Sequence, residues 1–173
     1  MSVGSGQAAM AMERQQWLAA VAGAGSAALL VGAFAFQYIG GLAPCHLCLL
    51  QRWPHGVAVI AALVFLVAPN RWLARIAALV VAIGAGIAVY HVGVEQAWWP
   101  GPTSCVAPDP GAMSAGDLMN QILNTPVVLC DQIAWSLWGV SMAGWNAILS
   151  ALLALLWLAA GRAGAQASSS ASQ

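Results

Sequence analysis

The stretch Pro44-Cys45-His46-Leu47-Cys48-Leu49-Leu50-Gln51-Arg52 lies between two apolar runs, and its reading decides the fold. The run that follows it, Val57 to Ala68, has only 12 residues. A helix needs about 20 to cross a bilayer. Counting back from Ala68 reaches Leu49, so residues 49–56 must join the helix and Arg52 falls about one turn inside its outer end. Pro54 is accommodated near the helix start, where backbone donors lack partners anyway. A charge just inside an apolar segment is costly and marks a functional position by default. The alternative is an arginine that snorkels to the headgroups. Cys45 and Cys48 stand three apart, and Arg52 follows four after the second. On a helix Cys48 and Arg52 share one face, where a fixed cation favours thiolate over thiol. The motif alone leaves three readings open: redox chemistry, a structural disulfide, or half a metal site.

Composition sets the solvent. The chain has 173 residues, enough for one domain, and is 61% hydrophobic but only 6% charged. Soluble domains carry about 25% charged residues, so this is an all-α integral membrane protein. A net charge of zero gives no pull toward nucleic acid. Residues 1–16 form a small, polar N-terminal arm. Residues 17–38 follow with 22 positions and no charge, too long for the apolar core of a cleaved signal and long enough to span. Pro44 stands where a lipoprotein cleavage before Cys45 would need a small residue. Gly23, Gly25, Ala28 and Gly32 make a close-packing face on this first span. The second span is read at about 49–68, the third at about 74–94 with its apolar run from Ile76, and the fourth at about 141–160. His91 sits one turn from the end of the third span, as an interfacial residue without a role or as a donor to a ligand. Trp98 and Trp99 follow as an interfacial belt. Asn146 is read as an interhelical hydrogen bond, and the Ala/Ser/Gln-rich tail 161–173 as disordered.

Two loops remain, at about 39–48 and 95–140. In the second, Ala115, Leu118, Met119, Ile122 and Leu123 fall on one helical face. So short a helix cannot span and is predicted to lie along the membrane surface, against lipid. Arg14, Arg71, Arg75 and Arg162 lie at the termini and the 69–75 turn, whereas the long loop has no arginine and carries Glu95, Asp109, Asp117 and Asp131. The arginine bias predicts cytoplasmic termini and both loops on the outer side. Cys45, Cys48, Cys105 and Cys130 then all face a compartment where disulfides persist.

A Cys45–Cys48 bridge would close four residues and stabilise little by loop entropy, which argues against a purely structural first pair. Cys105 and Cys130 are separated by 24 residues in a Pro/Gly-rich loop. They suit a structural bridge or a mobile thiol carrier equally. A zinc site built from Cys45, Cys48 and His46 or His55 has too few ligands nearby, so no metal is expected. Three classes stand side by side: a membrane thiol oxidoreductase, a four-span protein with purely structural outer-loop disulfides, and a Cys/His metal-binding membrane protein.

The sequence resembles the DsbB family, the disulfide-bond-formation B proteins of bacterial inner membranes. The resemblance covers roughly 17–160. It rests on Pro44-Cys45-His46-Leu47-Cys48 with Arg52 four on, on Tyr90-His91, on Cys105 and Cys130, and on Cys130-Asp131, Trp135 and Gly139-Val140-Ser141-Met142-Ala143-Gly144-Trp145-Asn146. His46 between the cysteines and Pro54-His55-Gly56 after Arg52 are mild departures. The resemblance implies a four-transmembrane-helix bundle with a short amphipathic surface helix in the second periplasmic loop. It also implies a bound quinone, ubiquinone or menaquinone, and a DsbA-like periplasmic thiol oxidase that the protein re-oxidises. Residue by residue, it implies that Cys105 forms the mixed disulfide with the partner and that Cys130 passes electrons to the first pair through Cys45. Cys48 would face the quinone ring, Arg52 would hold a quinone oxygen, and His91 would be a second quinone-side residue. The energetics agree. A DsbA-type oxidant stands near about −120 mV, so restoring its disulfide needs an acceptor above that potential, which a lipid-dissolved quinone provides.

Overall fold

The computed structural model describes residues 3–102, 114, 116, 119 and 128–170. In chain order these form α1 (Val3–Tyr38), α2 (His46–Val67), α3 (Arg71–Glu95), a two-residue strand pair β1 (Ser136–Leu137) and β2 (Val140–Ser141), and α4 (Met142–Ser170). Four segments are long and apolar enough to cross a membrane: Gly6–Tyr38, His46–Val67, Arg71–Glu95 and Met142–Ala163. The expected four-helix membrane bundle is therefore the architecture.

The helices are longer than the hydropathy pattern indicates. α1 starts at Val3, inside the stretch read as an N-terminal arm, and α4 runs to Ser170, through most of the tail read as disordered. The cause is cooperativity. Once a span is nucleated, each added residue gains a hydrogen bond without a new nucleus, and each extension carries three alanines or more. α2 begins three residues before Leu49 because Cys45 caps it, its Sγ accepting from the Cys48 N–H at 3.2 Å. Pro54 is consequently more than two turns inside the helix rather than at its start. It removes one backbone hydrogen bond there, and its ring packs against Gly84 of α3, where a Cβ would stand 2.9 Å from Pro54 Cβ. Asn70 caps α3 by accepting from the Trp72 N–H at 2.8 Å.

In lipid, helices associate by close packing rather than by exclusion of water. The core reflects this. It is dominated by alanine, with Ala19, Ala22, Ala58 and Ala74 buried around Phe65 and Trp157, whose rings meet edge-on at 5.9 Å. A Cβ on Gly23 would stand 2.3 Å from Ala62 Cβ, and one on Gly25 2.6 Å from Leu153 Cδ2. The first half of the small-residue face thus brings α1 onto α2 and α4. Gly32 has nothing within 4 Å, so the second half, Ala28 and Gly32, borders a cavity instead.

At the cysteine end, β1 and β2 pair with Ser136 opposite Ser141 and Leu137 opposite Val140. Trp138 and Gly139 between them have φ of +53° and +76°, both left-handed, as a two-residue type I′ turn requires. Ser141 then caps α4, accepting from the Gly144 N–H at 3.1 Å and donating to Glu95 of α3. Trp99 folds back over Gly93, donating from Nε1 to the Tyr90 carbonyl at 3.0 Å. Of the surface helix read at 115–123, only Gly116 and Met119 are described, both helical. The remainder of that helix and Cys105 lie outside the described residues.

Candidate functional site: a cysteine pair at the mouth of a bilayer cavity

Cys45 and Cys48 meet with their sulfurs 2.7 Å apart, both free. The capping geometry does this: Cys45 turns its sulfur back over the first helical turn, onto Cys48. Cys45 is buried and Cys48 half-buried. Burial and the shared proton decide which sulfur carries charge. The hydrogen bond to the Cys48 sulfur, with desolvation behind it, pushes the Cys45 thiol far up. The Cys48 N–H pulls the other way and is outweighed. When the reduced pair loses one proton, the charge therefore rests on Cys48.

Cys130 belongs to the same place. It is fully buried in one apolar cluster with Cys45, Leu47 and Val94. It is disulfide-bonded, and its bonding partner is outside the described residues. Of the predicted site residues, the structure thus brings together Cys45, Cys48, Cys130, Arg52 and His91.

Arg52, one turn along α2 from Cys48, donates from Nη1 to Gln37 Oε1 at 2.7 Å and from Nη2 to the Ala33 carbonyl at 3.5 Å. Its guanidinium lies 4.9 Å above the Phe34 ring. Nε is buried without a partner, and among the described residues no carboxylate pairs with the charge. A cation inside a spanning helix is costly, and among the described residues this one is held by neutral acceptors alone.

His91 reaches both cysteine loops. Its Nε2 stands 3.2 Å from the Cys130 carbonyl oxygen, 3.6 Å from Cys45 Sγ and 4.0 Å from Glu95 Oε1. Its Nδ1 accepts from Gln51 Nε2 at 2.9 Å, an amide that also donates to the Leu47 carbonyl at 3.1 Å. Behind Gln51 the chain continues between helices. Asn146 Nδ2 donates to Gln51 Oε1 at 2.6 Å, and His55 Nε2 donates to Asn146 Oδ1 at 3.0 Å. Ser150 joins Asn146 at 3.3 Å. Asn146 is thus the interhelical hydrogen bond its sequence position promised. Cys45, Cys48 and His91 place one ligand atom each within 4.8 Å of one another. The nitrogen that faces the sulfurs, however, carries the proton given to Cys130, because Gln51 donates to the other. That second shell suits a hydrogen-bond donor and opposes a metal ligand.

Below the pair is a cavity of about 490 Å³, bordered by all four helices and the segment before the hairpin. Cys48, Arg52 and His91 line it, with Phe36 and Trp135, whose rings meet at 5.1 Å. Its size and its apolar walls with few convergent polar groups are those of a small-molecule site. Gln51, His55 and Glu95 also border it. Sequence reading placed none of these three at a small-molecule site, and weighed His55 only as a zinc ligand. The available signals were weak ones: Gln51 lies one turn from Cys48 in an apolar helix, and Glu95 lies four after His91.

Comparison with known proteins agrees with this architecture. The sequence matches the family described as disulfide bond formation protein DsbB over residues 14–160. A disulfide bond formation protein B of Marinobacter nauticus is 33% identical over 144 residues, covering 76% of this chain and 83% of the relative. The protein of the same description from Verminephrobacter eiseniae is 32% identical, covering 76% and 77%. That from Mannheimia succiniciproducens is 28% identical, covering 85% and 84%. No solved structure matches the chain. With its four spans, its paired cysteines and a family match over most of its length, this chain belongs to the DsbB family of disulfide-generating membrane oxidoreductases.

Proposed function

We propose that the protein is a thiol:quinone oxidoreductase that re-oxidises a DsbA-like periplasmic dithiol oxidase, with both termini cytoplasmic and all four cysteines periplasmic. One observation carries the reading: a cysteine pair and an arginine that, among the described residues, has no carboxylate partner line the same cavity of about 490 Å³. The buried, unpartnered Arg52 Nε is the kind of orphan donor that a ligand oxygen would satisfy. A quinone head group fits these residues, with Arg52 at one ring oxygen, Cys48 beside the ring, and Phe36 and Trp135 as apolar walls. When bound, it supplies an acceptor for two electrons and two protons.

The protein's own steps are thiol exchanges. A thiolate of the partner attacks Cys105 in a Cys105–Cys130 disulfide, which releases Cys130 as thiolate. The partner's second thiolate then resolves the mixed disulfide, so the partner leaves oxidised and Cys105 leaves as thiolate. The Cys130 thiolate attacks Cys45 in the Cys45–Cys48 disulfide. One S–S bond forms, one breaks, and Cys48 departs as thiolate. The raised Cys45 thiol favours this partition, since charge is held on the sulfur nearer Arg52. Arg52 is always charged and steadies negative charge at the cavity's polar end.

Thiol alkylation in cells depleted of quinone and then resupplied tests the reading. The cysteines are expected to stay reduced without quinone and to become oxidised after its return. Cysteines whose state ignored quinone would return the case to structural disulfides. Adding quinone to the purified protein is expected to produce a visible absorption band that Cys48→Ser removes.

A further inference from the structure

The polar chain behind His91 has a direction, and two backbone carbonyls set it. A carbonyl oxygen can only accept. The Leu47 carbonyl, 3.1 Å from Gln51, therefore identifies the amide nitrogen of Gln51. That nitrogen's other hydrogen points at His91 Nδ1, 2.9 Å away, so Nδ1 is the accepting nitrogen. The Gln51 carbonyl then faces Asn146, which must present its Nδ2, as it does at 2.6 Å. Asn146 Oδ1 is left to accept from His55 and Ser150. At the far end His91 Nε2 faces the Cys130 carbonyl, a second group that can only accept. Both ends give one answer: His91 is the neutral Nε2–H tautomer, and its proton points between the Cys130 carbonyl and Cys45 Sγ, 3.2 and 3.6 Å away. Gln51 and His91 are both buried, so water does not compete for these bonds.

We propose that Gln51 and Asn146 are positioning residues that lock His91 as an Nε2–H donor bridging the second-loop cysteine to the first pair. His91 thereby sets the approach of Cys130 to Cys45 for thiol exchange. The proposal rests on the electron route given above, through Cys130 to Cys45. In that step Cys130–S⁻ attacks Cys45 Sγ, the Cys45–Cys130 bond forms, the Cys45–Cys48 bond breaks, and Cys48 leaves as thiolate. No proton and no net electron is consumed, so His91 need not titrate. Its task is geometric: one N–H holds the Cys130 backbone beside the sulfur it must reach. His55 and Ser150 brace Asn146 from α2 and α4 and keep the direction from reversing.

Two measurements on the full-length protein in detergent micelles test this. The first is the nitrogen NMR spectrum of histidine-labelled protein, with His91 assigned by His91→Gln. A pyridine-like Nδ1 and a pyrrole-like Nε2 are expected, giving way to mixed tautomers in Gln51→Met. A proton resident on Nδ1 in the native protein would overturn the proposal. The second measurement reduces the second-loop cysteines with a small dithiol and traps the Cys45–Cys130 species by acid quench and mass spectrometry. Formation of that species is expected to slow about tenfold in Gln51→Met and in Asn146→Leu. A raised quinone KM with unchanged exchange would place His91 on the quinone and refute the positioning role. If the native protein forms no Cys45–Cys130 species, the electron route itself fails. The tautomer pattern separates that failure from an error in the hydrogen-bond chain.

Discussion

Arg52 Nη1 rests 2.7 Å from Gln37 Oε1, so the deep cation of α2 is held by a neutral amide on α1. A carboxylate in that place would neutralise the guanidinium. An amide anchors it and leaves its charge available to the cavity.

Replacing Arg52 should therefore act on carrier binding more than on the fold. Arg52→Met is expected to raise the quinone KM at least about tenfold, the loss of one charge-assisted hydrogen bond. Arg52→Lys should recover part of it, since the charge returns without the planar fork. Steady-state quinone titration of the purified variants measures this. A KM unchanged in Arg52→Met would assign the arginine to headgroup anchoring instead.

The two cysteine pairs should separate cleanly. Cys48→Ser is expected to abolish quinone reduction whatever the electron donor. Cys105→Ser should block oxidation of the protein partner while a small dithiol still reduces the first pair and drives quinone reduction. Equal loss of both activities in both variants would contradict an ordered relay.

Titration of the reduced first pair should reveal one thiolate rather than two. The sulfur of Cys48 is the largest cause of the raised Cys45 thiol. In the reduced native protein Cys45 should titrate well above the ordinary thiol range. In Cys48→Ala that cause is gone, so the Cys45 midpoint should fall toward the ordinary thiol range. Ultraviolet thiolate absorbance against pH reads both. A Cys45 midpoint that rose or stayed put in Cys48→Ala would show that burial alone controls it.

Two glycines of α1 should behave oppositely. Gly23→Val drives a side chain into Ala62, where even a Cβ would lie 2.3 Å away, and should cost about 1–3 kcal/mol of stability. Gly32→Ala meets open space and should leave the unfolding midpoint unchanged. Thermal unfolding in micelles followed by circular dichroism compares them. A Gly32→Ala loss as large as that of Gly23→Val would mean the α1 face packs along its whole length.

Much of this protein was legible in the order of its residues. Hydropathy alone requires three spans, because uncharged runs of that length have no other stable home, and the short run after Arg52 supplies the fourth. The shortness of Val57–Ala68 was enough to draw Arg52 into a helix beside Cys48, and the pattern Cys45, Cys48, Cys105, Cys130 pointed to thiol exchange. Helix ends were less legible. Propagation from a nucleated span is a cooperative property, and a cap formed by a cysteine sulfur has no familiar sequence signal. What the tertiary structure alone decided is which distant side chains meet. Gln51, His91 and Asn146 come from three helices and share no local pattern, yet they complete one another's hydrogen bonds at 2.9 and 2.6 Å. In a bilayer an unsatisfied amide or imidazole is expensive. Their pairing is therefore a consequence of how the helices pack, and no single helix encodes it.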